Sequence, residues 1–191
     1  MQLNAYIDCL SRHKNDTKWL ALIDLDEFIV PIETETIPEL LKKFPLNVAQ
    51  LVIGWQLYGA NGHETRPEGL VIENYTRRGI TPPSGIDCKS IVNPRLVRKL
   101  ACHEHDIAGD NINEYQREIS SQRIRINHYS CKSWEDYQRK HIRGDGFYGI
   151  DFGYKKFNKN HFDSINLNDI FDPIMDKYIK KVKESMQNRK F

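Results

Sequence analysis

Asp24 and Asp26 stand two residues apart, directly after the apolar run Trp19-Leu-Ala-Leu-Ile23. At the end of a strand, that spacing sends both carboxylates to one side and Leu25 into the core. Two like charges held together are costly unless a cation joins them. Carboxylate oxygens suit Mg2+ or Mn2+, usually shared with a phosphate-bearing substrate. The plain alternatives are a solvated strand end, or an aspartate capping the next turn.

Such a pair needs a strand to carry it and a core behind that strand. The run Trp19–Ile23, bounded by polar residues, predicts a buried strand of an α/β sheet. Leu3, Tyr6, Ile7 and Leu10 recur at helical spacing and predict an amphipathic helix over residues 2–14. Thr36-Ile-Pro-Glu39 has the form of a capping box with proline in the first turn, opening a helix through Leu40, Leu41 and Phe44. Residues 51–58 and 70–77 predict two further strands, with a glycine turn at 59–62 between them and a loop at 81–85 after the second. Lys89–Val92 and Arg95–Leu100 predict two more, and Arg123–Asn127 alternates as a half-buried strand should. Ser133 is placed to cap a helix through Tyr137 to Ile142. Glycines 144, 146, 149 and 153 punctuate an aromatic segment, and Met175, Tyr178, Ile179, Val182 and Met186 line one face of a last helix.

The 191 residues suggest one domain, and 28 Lys and Arg against 26 Asp and Glu leave a net charge of +2. That balance gives no electrostatic case for a nucleic-acid-binding protein. No apolar run reaches the ~18–20 residues of a membrane span, and residues 1–10 lack the shape of a signal peptide. Cys9, Cys88, Cys102 and Cys131 are scattered without a CxxC pair, which reads as reduced thiols in a cytoplasmic protein.

The residues around the aspartates are more specific than the DxD itself. Trp19-Leu-Ala-Leu-Ile-Asp-Leu-Asp-Glu-Phe-Ile-Val-Pro31 resembles the DxD-bearing segment of GT-A glycosyltransferases, in particular glycosyltransferase family 92 and family 2-like proteins. Trp55-Gln-Leu-Tyr-Gly-Ala-Asn-Gly-His63, Pro67-Glu-Gly-Leu70, Lys89-Ser-Ile-Val-Asn-Pro94, His103 and Asn127-His-Tyr-Ser-Cys-Lys-Ser133 continue the similarity in order, between about Gln2 and Gly144. The resemblance implies an α/β fold, a GT-A-like mixed sheet flanked by helices and incomplete at its N-terminal side. In that family the stretch resembling Gln2–Leu10 follows a βαβ half that binds the nucleotide base. Residues 1–160 then correspond to the C-terminal two-thirds of such a domain and 161–191 to a helical tail. An uncovered sheet flank of this kind invites self-association.

The activity implied is transfer of a sugar from a nucleotide-sugar donor to a glycan or lipid-linked acceptor, through Mn2+ or Mg2+ that neutralises the leaving diphosphate, with turnover by this chain expected to be suppressed for want of the base-binding half. Asp24 and Asp26 would serve nucleotide and metal, with His128 as a third ligand and His103 or His105 competing for that place. Lys89 and Lys132 are candidate phosphate contacts, although lysines on such segments are often merely solvated. Trp55 and His63 could form the acceptor site, or Trp55 could be a core residue. Glu64, Asp87 and Asp106 are candidates for the general base, and no motif singles one out. Phe147, Tyr148, Phe152 and Tyr154 fit either a mobile cover or the packed end of the domain.

Two other classes compete. A HAD-type phosphohydrolase also runs an apolar strand into DxD, but Glu27 and Phe28 occupy places that family fills differently, and Gly109-Asp110 is thin support for its later acids. A non-catalytic remnant or sugar-binding fragment is the other. The Lys-, Asn- and Ile-rich composition hints at an AT-rich bacterial genome and, by association, polysaccharide biosynthesis. The basic, amphipathic last helix fits either peripheral contact with the inner face of a membrane or ordinary packing.

Overall fold

The computed structural model describes residues 2–45, 47–80, 87–101, 103, 105–107, 116–144 and 158–188, and for 116–118 the backbone alone. The loop expected at 81–85, Cys102, Gly109-Asp110 and the aromatic residues Phe147, Tyr148, Phe152 and Tyr154 lie outside the described residues. The chain forms two units, one of residues 1–56 and 82–128, the other of 57–81 and 129–191.

The first unit is a mixed sheet with a helix packed on each face. Helix α1 (Gln2–His13) is followed by β1 (Leu20–Ala21), β2 (Glu27–Pro31), α2 (Ile37–Leu41) and β3 (Gln50–Leu57). Strands β5 (Cys88–Val92), β6 (Val97–Lys99), β7 (Asp106–Ile107), β8 (Gln116–Ile119) and β9 (Ile124–His128) complete it, after β4 (Arg77–Arg78) in the second unit. The sheet order is β1-β5-β3-β9-β2, with β8 parallel to β3, while β6 and β7 form a separate antiparallel pair. Both faces are buried. Leu51, Ile53, Ile91, Ile119, Ile124 and Ile126 fill one side together with Leu40 of α2. On the other side Val92, Val97 and Leu100 pack with Tyr6, Leu3 and Leu10 of α1. Of the expected helical stripe, Ile7 falls outside it and is half exposed.

Strands β1 and β2 occupy opposite ends of this order, yet only residues 22–26 join them. A flat sheet would hold them about 19 Å apart, four inter-strand steps. The link contains a turn closed by Glu27 N–H donating to Asp24 O at 3.1 Å, which shortens its reach below that figure. The sheet therefore curls until its two end strands can be bridged. This overturns two expectations. The strand foreseen over 19–23 shrinks to Leu20–Ala21, and Asp24 and Asp26 sit on a turn instead of a strand end. Leu25, expected in the core, is fully exposed at 103%, because the turn breaks the alternation that would have directed it inward.

Strand β9 also departs from the half-buried pattern, since all five of its residues are buried. Within it Arg125 Nε donates to Asn127 Oδ1 at 2.8 Å, while Asn127 Nδ2 is buried without a hydrogen-bond partner. The capping box forms as read: Thr36 Oγ1 accepts from Glu39 N at 3.3 Å, and Glu39 accepts from Thr36 N at 3.2 Å. The helix it opens ends at Leu41, short of Phe44.

The second unit holds α3 (Val71–Asn74), β4 (Arg77–Arg78), α4 (Trp134–Arg143), α5 (Lys159–Ile165), β10 (Ile170–Phe171) and α6 (Asp176–Asn188). The strand expected over 70–77 is instead α3 and the two residues of β4. Glu73 accepts from Leu70 N, and Asn74 donates to the carbonyls of Glu68 and Leu70, so local side-chain bonds favour one helical turn over a ladder. Ser133 caps α4 by accepting from Asp136 N at 3.1 Å. A small core gathers Ala60, Cys131, Tyr137 and Phe162 with Trp134 and Ile165. Helix α6 lies on α3, tied by Lys183 to Glu73 at 2.6 Å, with Tyr178, Ile179 and Val182 half-buried and Met186 exposed. Among the described residues no helix is long and apolar enough to cross a membrane.

Candidate active site at the Asp24–Glu27 turn

The curl of the first unit brings three parts of the chain to one turn. From β5, Lys89 reaches Asp24 Oδ2 at 3.1 Å; its side chain is 1% exposed against 35% for Asp24. From α1, Gln2 Nε2 donates to Asp24 Oδ1 at 2.5 Å and Tyr6 O–H to the same oxygen at 3.4 Å. From β9, His128 Nε2 lies 3.8 Å from Asp26 Oδ1, inside ion-pair reach but beyond a hydrogen bond. The ladder fixes this last approach, since Glu27 at the head of β2 pairs directly with His128 at the end of β9.

The two aspartates are thus unlike. Asp24 is engaged at both carboxylate oxygens by donors of the protein itself, while Asp26 faces an imidazole. Trp55 of β3 packs its ring on His128 at 4.3 Å between centroids and on His103 at 5.3 Å. Its indole N–H is buried without a hydrogen-bond partner.

Glu27 is the residue that sequence reasoning passed over. Its Oε2 accepts from Asp24 N at 2.9 Å, and its Oε1 is buried without a hydrogen-bond partner. Burial pushes its carboxyl up to about 7, against an opposing pull from the Lys89 ammonium. The available signal was an acid heading a strand of otherwise apolar residues.

The remaining candidates are placed as follows. Asp87 and Asp106 are exposed in the first unit, and Asp87 O accepts from Trp55 N at 2.8 Å. His103 is exposed, with Nδ1 donating to Cys88 O at 3.0 Å. His105 is buried and binds β3, its N–H donating to Gln50 Oε1 at 2.7 Å. His105 Nδ1 accepts from Ala101 N at 3.1 Å, and burial pulls the ring down to about 4, helped by Lys89 and His103. His63, Glu64 and Lys132 belong to the second unit. There His63 packs on Tyr75 at 5.5 Å, Glu64 is exposed, and Lys132 takes a left-handed backbone at φ 51°.

The Gly59–His63 turn has a structural explanation of its own. A Cβ at Gly59 would lie 2.4 Å from both Leu167 O and Asn168 Oδ1, so only glycine fits. Asn166 and Asn168 accept from Ala60 N at 2.7 Å and Asn61 N at 2.8 Å.

Among the described residues, no three His, Cys, Asp or Glu side chains gather tightly enough to hold a metal ion. Asp26 and His128 are the facing oxygen and nitrogen donors that would hold a divalent ion here, with phosphate and water completing its shell.

A curled mixed sheet flanked by helices is consistent with the class of α/β glycosyltransferases. The chain belongs to glycosyltransferase family 92, whose model matches residues 1–189. No curated protein gives a significant match.

Proposed function

We propose that this glycosyltransferase moves a sugar from a nucleotide-sugar donor to a glycan or lipid-linked acceptor, with a divalent cation held by Asp26 and His128. The observation that carries the reading is the approach of Asp26 to His128 at 3.8 Å across the first rung of β2 and β9. When bound, the cation supplies charge neutralisation for the departing nucleoside diphosphate. The chain's own residues do the rest. Lys89 and Gln2 hold the Asp24 carboxylate, so Lys89 acts on the donor through Asp24 instead of touching phosphate. Trp55 holds the His128 ring in place and offers its remaining face to an acceptor sugar. Asp87 and Asp106, of the same unit, are the candidates for the base.

The test is calorimetric binding of UDP and GDP with and without Mn2+, on the wild type and Asp26→Asn, beside turnover of a panel of UDP- and GDP-sugars. Nucleotide affinity should rise with Mn2+ in the wild type and lose about tenfold or more of that gain in the variant. Affinity indifferent to both Mn2+ and the substitution would refute the reading. Phosphate release without nucleotide binding would point to a phosphohydrolase.

A further inference from the structure

We propose that Glu27 is a positioning residue, whose side chain sets the Asp24–Glu27 turn and so presents Asp26 to His128; this rests on the metal reading of Asp26. Two hydrogen bonds run between the same two residues in opposite directions. Glu27 N–H donates to Asp24 O at 3.1 Å, and Asp24 N–H donates to Glu27 Oε2 at 2.9 Å. Together they close a ring around Leu25 and Asp26. Leu25 is 103% exposed and contributes no packing, whereas Glu27 is 3% exposed and anchored in the ladder opposite His128.

Asp24 is itself a fixed point, held at one carboxylate oxygen by Lys89 from β5 and at the other by Gln2 from α1. Glu27 therefore couples two anchored positions, Asp24 on one side and the β2–β9 rung on the other. Asp26 lies between them. Removing the side-chain arm frees one end of the ring, and Asp26 then loses its orientation although its own carboxylate and the His128 ring are unchanged. The arm works as an acceptor, so an amide oxygen at the same reach should serve as well as a carboxylate. A shorter side chain should not.

The experiment measures Mn2+ affinity by electron paramagnetic resonance of the free ion, beside hydrogen exchange at the Asp24 amide. It uses the full chain as wild type, Glu27→Gln, Glu27→Ala, Glu27→Asp and Asp26→Asn. Glu27→Gln should bind Mn2+ within about threefold of wild type and keep the Asp24 amide protected. Glu27→Ala should lose about tenfold in affinity and exchange that amide about tenfold faster. Glu27→Asp should follow the alanine variant, and it carries the comparison if alanine does not fold.

Wild-type Mn2+ affinity in Glu27→Ala or Glu27→Asp, with Asp26→Asn impaired, overturns the proposal. So does a Glu27→Gln protein as poor as alanine. If Asp26→Asn binds Mn2+ like wild type, the metal reading fails instead. The amide exchange then decides the clamp: fast in alanine and slow in glutamine supports it, and equal rates overturn it.

Discussion

Two buried groups of the first unit titrate in overlapping windows with opposite effects on stability. Glu27 is held protonated up to about pH 7 when folded, against 4.5 when unfolded. Its contribution is full below pH 4.5 and is lost as the pH rises toward 7, because only the folded state keeps the proton. His105 is the reverse: its ring, ordinarily at 6.5, falls to about 4 on folding. Its contribution is full above pH 6.5 and is lost as the pH falls toward 4. At ~1.4 kcal/mol per pH unit each effect reaches about 3 kcal/mol, and between pH 4.5 and 6.5 they nearly cancel. Glu27→Gln should unmask His105, so that stability relative to wild type grows by about 3 kcal/mol from pH 4.5 to 7. His105→Asn should unmask Glu27, with stability relative to wild type growing as the pH falls from 6.5 to 4. Urea unfolding at half-unit pH steps measures both difference curves, in which the common titration of surface carboxylates drops out. A flat Glu27→Gln curve, or one of opposite sign, would refute the assignment of that window to a buried carboxyl.

Substitution of the Asp24–Lys89 pair should be asymmetric. Asp24→Asn removes a carboxylate charge from beside a lysine that is 1% exposed, at a cost of about 2–3 kcal/mol. Lys89→Met leaves a carboxylate with 35% exposure and its Gln2 hydrogen bond, at about 1–2 kcal/mol. Thermal unfolding separates them, and a larger loss in Lys89→Met would refute the argument. In the second unit, Ser133→Ala removes the cap of α4 and should cost about 1 kcal/mol, or about 2–4 °C in a chain of this size.

What was legible in the residues is what local chemistry decides. The stripe Leu3, Tyr6 and Leu10 placed α1, and the Thr36 and Ser133 caps placed the starts of α2 and α4. The family resemblance also pointed to the turn and its neighbours. Local pattern could not show that residues 20–31 make two end strands of a curled sheet, because that depends on β5 and β9, far along the chain. Hence Leu25 was assigned to a core it never enters. That Lys89 is buried, not solvated, was hidden for the same reason: its place opposite Ile53 and its contact with Asp24 both depend on distant segments. The segment 70–77 failed differently. Its β-branched residues suggested a strand, and the side chains of Glu73 and Asn74 outweighed them locally.

The curl that joins β1 to β2 also dictates when the acidic turn can exist. Its two flanks are completed by β5, about 65 residues downstream of Asp24, and by β9, about 100 residues downstream of Asp26. Neighbours in sequence on either side of the turn thus acquire their ladder partners at different times, β1 from the middle of the chain and β2 only from β9, about two-thirds of the way along it. Contacts this distant are slow to close and are gained late. A nascent chain ending before His128 holds the Asp-Leu-Asp-Glu sequence without the geometry. The turn is in this sense a seal, set by the last strand of the sheet to arrive.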